Sequence, residues 1–547
     1  MTTLPTQMDV LRRALRTTGG TTTVGPDHRA LLCNYNEPRA SARAASPPQA
    51  RRSWAAAVLG CLTVWLVMRI VFFYGIQGSD DLDYMRFAAL WDRAPINHWE
   101  SRLLANALMG GAMKLFGING VAAALPSMAA SLVIFSCVLY WCRRYADVGH
   151  AWWAGLTAAV LPVDVHGATT PSAYPLMTAF MTVGTLAFMQ APQSRRARLL
   201  AAWALAAGVV THLAGVYYVA CLALAALGMD RRRFWRPVVA MLVAAVSIMA
   251  ADMAVFHFAF GDALGRFRLA MMQTSSENPL APLYLDGRFN WEFVIWPISE
   301  TIFSKTFGVA LGVVGVWGIW NYRRLPESSR LLLATAVVFW LWMSFGSQVP
   351  WAYKPFWRML RFLAPLTLPV SILLASAVVT ARRRALARLG GTVVLAICLL
   401  NLAVSGSWGQ SVPISRELLV YAADHPQTRF ITDVQTLNEM YVLNGMQLTA
   451  NVVTTDTCQR SQLLNRGVPR LSEAQLKAGD AILANPLNTA RRPDFAAFIG
   501  RHAGRKRHET QPAYRMICAC LPPLRAYPWL LRKPPARVLD CLGTNVP

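Results

Sequence analysis

The chain has 547 residues, 55% of them hydrophobic and only 15% charged, with a mean hydropathy of +0.34. That is too little charge to cover a soluble protein of this length, and the long apolar runs point instead to a polytopic membrane protein. Lys plus Arg number 53 against 28 Asp plus Glu, a formal net charge of +25. The arginines fall in short clusters between apolar runs, which is the pattern of membrane topology. No zinc-finger spacing or RNA-binding signature accompanies them, so nucleic acid is set aside as a partner.

Residues 1–50 are rich in Thr, Ala, Pro and Arg and lack an early apolar core, so they read as a disordered cytoplasmic extension and not a signal peptide. Apolar runs then predict about eleven spans, at 54–76, 121–141, 151–163, 172–191, 198–211, 214–228, 237–256, 306–321, 331–346, 362–380 and 389–405. Every second connection is basic: Arg51 and Arg52, Arg143 and Arg144, Arg195 to Arg198, Arg231 to Arg236, Arg323 and Arg324, then Arg382 to Arg384. The positive-inside rule puts these on the cytoplasmic side, with the N-terminus inside and the C-terminus outside. The outer connections are then 77–120, 164–171, 212–213, 257–305 and 347–361, and the first and fourth are long and acidic. The apolar stretch 101–116 reads as a helix lying on the outer surface. Charges inside the spans are few, Arg69 and Asp252.

From 406 the composition changes. The stretch 416–445 reads as helix, short buried strand and helix, and "AGDAILANP" as a second strand ending in a turn. The fold class is therefore mostly α: a transmembrane helix bundle at 51–405, followed by a small extracytoplasmic α/β domain at 406–547. Cys458, Cys518, Cys520 and Cys541 all fall in this outer domain, an even number that allows up to two disulfides of undetermined pairing.

The residues that could carry chemistry lie in the outer connections. "GSDDLDYMRF", 78–87, packs Asp80, Asp81 and Asp83 directly after the first span. Helix capping explains one or two of these acids, and Asp83 can pair with Arg86 at i,i+3. A carboxylate here can equally serve as a general base, and two together can hold a divalent cation. "HWESRLL", 98–104, supplies His98, Glu100 and Arg102, where a Glu100–Arg102 salt bridge is the bland alternative. Arg358 and Arg361 stand three apart at the outer end of the tenth span, placed either to snorkel to lipid headgroups or to grip a phosphate. Asp164, His166, Thr169, Thr170, Tyr174 and His212 are polar groups at the outer ends of short spans.

Together these residues resemble the GT-C superfamily of integral-membrane glycosyltransferases, which includes protein O-mannosyltransferases and the aminoarabinose transferases of lipid A. The Asp-Asp/Glu-x-x-Tyr motif after span one matches Asp80 to Tyr84. The amphipathic helix matches Leu103 to Gly117, the "LPS" opening of span two matches Leu125 to Ser127, and Arg143 and Arg144 match the Arg pair that closes it. Pro162 matches the Pro that closes span three, and Arg361 to Pro365 matches the late Arg-Tyr/Phe-x-x-Pro element. The match covers about 54–405. His98 to Leu103 stands where many members have a His-Pro-Pro-Leu-like turn, and His212 where some have a Lys.

The resemblance implies a polyprenyl-phosphate sugar donor and a lipid, glycan or protein acceptor on the outer face of the bacterial cytoplasmic membrane. By that analogy Asp80 is the base and Asp81 its helper, and Arg358 and Arg361 bind the donor phosphate. Glu100, Arg102, His166, Tyr174 and His212 line the cavity, and Tyr284 lies in a loop that closes over the donor. Phosphate leaves readily, so positioning and electrostatics could suffice without a metal, and a divalent cation is the open alternative. The alternative is a transporter or flippase of lipid-linked envelope intermediates. It predicts internal repeats and ionisable groups at mid-membrane, and neither is visible in the sequence.

Overall fold

Apolar runs become helices along the first three-quarters of the chain, and short polar residues set where they start. The computed structural model describes residues 48–78, 80–91, 94–276, 298–299, 307, 309–349, 352–355, 360–405, 411–455, 471–477, 479–490, 492–509 and 537–541. Helix α1 is Pro48–Val71, α2 is Asp80–Leu90 and α3 is Leu103–Phe116. Four helices follow with side-chain N-caps that satisfy otherwise orphaned backbone N–H groups. They are α4 Gly120–Tyr145 capped by Asn119, α5 Val148–Val160 by Asp147, α7 Ala173–Gln190 by Ser172 and α8 Arg195–Thr211 by Ser194. Between α5 and α7 lies the short α6, Pro162–Ala168. Then come α9 Ala214–Phe260, α10 Gly265–Ser276, α11 Ala310–Asn321 and α12 Glu327–Phe345. A hairpin of β1 (Ser347–Val349) and β2 (Ala352–Pro355) leads to a 3-10 segment at Leu360–Leu366, then α13 Thr367–Thr380 and α14 Arg384–Ser405.

Among the described residues, six helices are long and apolar enough to cross a membrane: Arg51–Val71, Gly120–Tyr145, Ala214–Phe260, Glu327–Phe345, Arg361–Thr380 and Arg384–Ala403. The protein is a multi-pass membrane protein. The intervals 214–228 and 237–256 are two helical segments, as expected; they meet in α9 at the non-helical Asp230 (φ −155°, ψ 90°) with no longer connection between them. Two local expectations change. The connection 164–171 is largely helical, because Pro162 sits in the first turn of α6, where its missing N–H costs nothing. Arg361 lies on a 3-10 turn and not on an α-helix.

The C-terminal region holds α15 (Val412–Asp424), β3 (Phe430–Thr432), α16 (Val434–Leu443), β4 (Val452–Thr454) and β5 (Ala481–Ala484). It continues with α17 (Pro486–Thr489), α18 (Pro493–His502), β6 (Ala503–Glu509) and β7 (Arg537–Cys541). The strands form one mixed sheet in the order β4-β3-β5-β7-β6. The first three run parallel, and β7 is antiparallel to both its neighbours. Every residue of β3, β4 and β5 is buried, as expected for parallel strands covered on both faces. "AGDAILANP" is thus the third strand of the sheet, leading into α17. Cys458, Cys518 and Cys520 lie outside the described residues, and Cys541 ends β7.

The sheet region shares a core with the connection between α1 and α4. Leu82, Met85 and Ala88 of α2 and Met109 of α3 join Leu418, Leu437 and Met440 in one buried apolar cluster. Within that connection, α3 approaches α2 so closely at Gly110 that a Cβ there would lie 2.4 Å from the Ala88 carbonyl oxygen. These contacts fix α2, and with it the acidic stretch at its start.

Candidate functional site

Helix α2 opens with its acids, where the positive end of the helix dipole favours them. The three diverge in environment. Asp83 pairs with Arg86 at 2.9 Å, as the i,i+3 spacing predicts. Arg86 also reaches Glu100 at 2.8 Å, and both side chains of that pair are almost wholly buried. Glu100 therefore does not form the expected bridge to Arg102. Its second oxygen accepts from the Ile96 backbone N–H at 3.0 Å. Burial pushes the Asp83 carboxyl up to about 6, against the pull of Arg86 and with the repulsion of Glu100 and Asp80. Asp81 accepts from the Gln77 backbone N–H, a local cap over the helix start.

Asp80 turns the other way. Its carboxylate meets the guanidinium of Arg361 at 2.5 Å. Arg361 in turn lies 5.1 Å from the centre of the Tyr174 ring, and Arg102 lies 5.5 Å from the same ring. Tyr174 therefore sits against two cations, an arrangement its negative ring face stabilises. Arg102 donates to the Tyr84 hydroxyl. Burial lowers the Arg102 pKa from the usual arginine range, while Tyr174 and Asp80 oppose the drop.

Three histidines border this group. His98 feels both Asp80 and Arg361, but burial dominates and lowers it to about 4, so it is neutral at physiological pH. His166 is exposed and hydrogen-bonds the Gln77 side chain. His212 packs against Tyr174 and Phe362, with ring centres 4.7 and 5.7 Å away. Its Nδ1 accepts from the Ala214 N–H at 3.0 Å, which puts the proton of the neutral ring on Nε2. That Nε2 is buried without a hydrogen-bond partner among the described residues.

The fold thus gathers Asp80, Arg102, Tyr174, His212 and Arg361 into one site, with Asp81, Glu100 and His166 supporting it. Arg358 and Tyr284 lie outside the described residues. Among the described residues, no group of three or more His, Cys, Asp or Glu side chains is placed to hold a metal ion. A cavity of about 720 Å³ at the Asp230 break, lined by Arg233, Tyr322, Glu327 and Arg330 among others, includes none of these site residues.

Sequence reasoning flagged Arg69 and Asp164 separately but missed that they pair. Arg69 is fully buried, bridges Asp164 and reaches Ser131 at 3.0 Å. Asp252 likewise meets Arg266, at 3.0 Å. It also missed the buried Glu439 and its serine partners. The i,i+4 repeat of Ser411 and Ser415 was the available signal.

No family model and no curated protein matches the chain. Solved structures do. ArnT from Cupriavidus metallidurans bound to undecaprenyl phosphate is 14% identical, aligned over 90% of this chain and 99% of that chain, with a TM-score of 0.52. The apo state of the same protein aligns over 80% and 94%, at 15% identity and a TM-score of 0.48. The archaeal oligosaccharyltransferase AglB from Archaeoglobus fulgidus, in complex with an inhibitory peptide and a dolichol-phosphate, aligns over 72% and 64%, at 11% identity and a TM-score of 0.43. The chain has the fold of the GT-C membrane glycosyltransferases.

Proposed function

We propose that this protein is a glycosyltransferase that moves a sugar from a polyprenyl-phosphate donor to a lipid, glycan or protein acceptor. In this reading it works at the outer face of the bacterial cytoplasmic membrane, with about eleven spans and the N-terminus inside. The observation that carries the proposal is the Asp80–Arg361 pair, a carboxylate and a guanidinium from distant parts of the chain meeting at 2.5 Å. A base and a phosphate-binding cation are the two groups such a transfer needs. The likeness to a structure that holds undecaprenyl phosphate supports the choice of donor.

Donor phosphate competes with Asp80 for Arg361, because Arg forks bind phosphate bidentately. Arrival of the donor thereby releases the Asp80 carboxylate. Asp80 takes the proton of the acceptor hydroxyl, and the acceptor oxygen attacks the anomeric carbon. The bond from that carbon to the phosphate oxygen breaks, and its electron pair leaves with the polyprenyl phosphate. Arg361, with Arg358, balances the charge that develops. Arg102, held by Tyr84 and Tyr174, lends a second positive field. The free His212 Nε2–H is a donor for a substrate oxygen. Asp81 supports the helix start, and we give it the secondary role in acceptor binding.

The test is mass spectrometry of lipid-linked glycans and lipid A from a deletion strain complemented with variants. The intact protein restores a mass difference of one sugar, while Asp80→Asn lowers the modified product by about 10²-fold or more. Full restoration by both Asp80→Asn and Arg361→Ala would sink the reading. Unchanged surface glycans with accumulated inner-face lipid would favour a flippase instead.

A further inference from the structure

We infer that Gln435 and Glu439 of the C-terminal region are positioning residues for Asp80: they clamp the backbone at Gly78 and so set where the acidic stretch meets Arg361. The inference rests on the role proposed above for Asp80. Gly78 has φ +87°, a conformation that side chains resist, and it lies two residues before Asp80. A Cβ at Gly78 would fall 2.7 Å from Glu439 Oε1 and 2.7 Å from Ser411 Oγ. The backbone therefore presses directly on the buried carboxyl. The Gln435 amide donates to the Gly78 carbonyl at 3.4 Å and to Glu439 Oε1 at 3.3 Å, tying the two together.

Behind this contact lies a buried hydrogen-bond network. Glu439 is fully buried and accepts from the Ser411 hydroxyl at 2.5 Å and the Ser415 hydroxyl at 2.6 Å. Asn485 donates to the Ser411 carbonyl at 3.0 Å and to the Ser415 hydroxyl at 2.9 Å, which fixes both serines. Asp433 caps the start of α16 through the Gln435 and Thr436 N–H groups, which orients the helix that carries Gln435 and Glu439. A satisfied buried network of this kind holds one geometry.

The acidic stretch is thus gripped from both sides. Gln77 is held by His166, Gly78 by Gln435 and Glu439, and Asp80 by Arg361. The distance from Gly78 to Asp80 is short enough that a shift of the first displaces the second. Misplacing a catalytic group by about 1 Å costs on the order of 10²-fold in rate.

Two measurements on the full-length protein test this. Hydrogen–deuterium exchange in detergent is expected to show amides of 77–82 in Gln435→Ala exchanging at least about tenfold faster, while β3 and β5 keep their rates. In the complemented deletion strain, Gln435→Ala and Glu439→Ala lower sugar-modified product by about tenfold or more. Glu439→Gln, which keeps an acceptor for a serine hydroxyl, recovers most of it. Unchanged exchange at 77–82 in Gln435→Ala overturns the clamp, as does full product from Gln435→Ala in a background where Asp80→Asn is inactive. If Asp80→Asn is active while 77–82 loosens in Gln435→Ala, the base assignment fails and the clamp stands. Gln435→Ala keeps the test decisive if Glu439→Ala does not fold.

Discussion

Replacing Arg86 by Met removes a cation that pairs with both Asp83 and Glu100. Arg86 is 2% exposed, and it binds Glu100 at 2.8 Å and Asp83 at 2.9 Å. Glu100 has no exposed surface, so it loses an ion pair in the protein interior. Breaking a buried ion pair by removing one member destabilises by about 3–5 kcal/mol. Two charge-assisted hydrogen bonds at about 1.5–3 kcal/mol each give an overlapping range, about 3–6 kcal/mol. Unfolding in mixed micelles of detergent and SDS reads this as a lowered midpoint. Adding Glu100→Gln removes the buried charge, so the double variant loses at least about 1 kcal/mol less than the sum of the singles. An Arg86→Met loss below about 1 kcal/mol, or strictly additive singles, would refute the reasoning.

Gly110→Ala forces a Cβ against the Ala88 carbonyl and costs about 1–3 kcal/mol, whereas Gly111, with nothing within 4 Å of its Cβ position, tolerates Ala and gains up to about 1 kcal/mol. Thermal melts of both variants compare them directly, and equal losses would contradict the packing described. Burial pushes the Glu439 carboxyl up from 4.5 to about 7, against the hydrogen bonds from Ser411 and Ser415. The folded state therefore holds its proton where the unfolded chain has lost it, and stability falls as pH rises from 4.5 to about 7, then levels off. The full effect is about 3 kcal/mol. Glu439→Gln should flatten the profile, and an unchanged profile in that variant would be contrary evidence. Under the proposed function, Arg361→Lys keeps the charge but loses the fork, so affinity for a polyprenyl phosphate is expected to fall about tenfold; equal affinity by calorimetry would remove Arg361 from the proposed phosphate site.

Much of the helical architecture was legible because apolar run length and Arg clusters act locally. The Asp83–Arg86 pair was legible for the same reason, since three residues along a helix fix the geometry. The Asp80–Arg361 contact could be anticipated only through the family resemblance, because no local rule joins those positions. Glu100 shows the limit clearly. Its near neighbour Arg102 is the natural guess, yet the turn at 97–101 aims Glu100 at Arg86 and sends Arg102 to Tyr84 and Tyr174. The break at Asp230 was legible from the basic cluster beside it, but not that a single non-helical residue would suffice to make it. Gln435 and Glu439 were invisible: their meaning depends on Gly78, which only tertiary structure brings near.

The shared apolar cluster ties the order of synthesis to the order of assembly. Leu82, Met85 and Met109 are made early, but the residues that cover them, Leu418, Leu437 and Met440, emerge last. Until then Leu82, Met85 and Met109 lack that cover, and apolar surface left open in this way is what chaperones recognise in a growing chain.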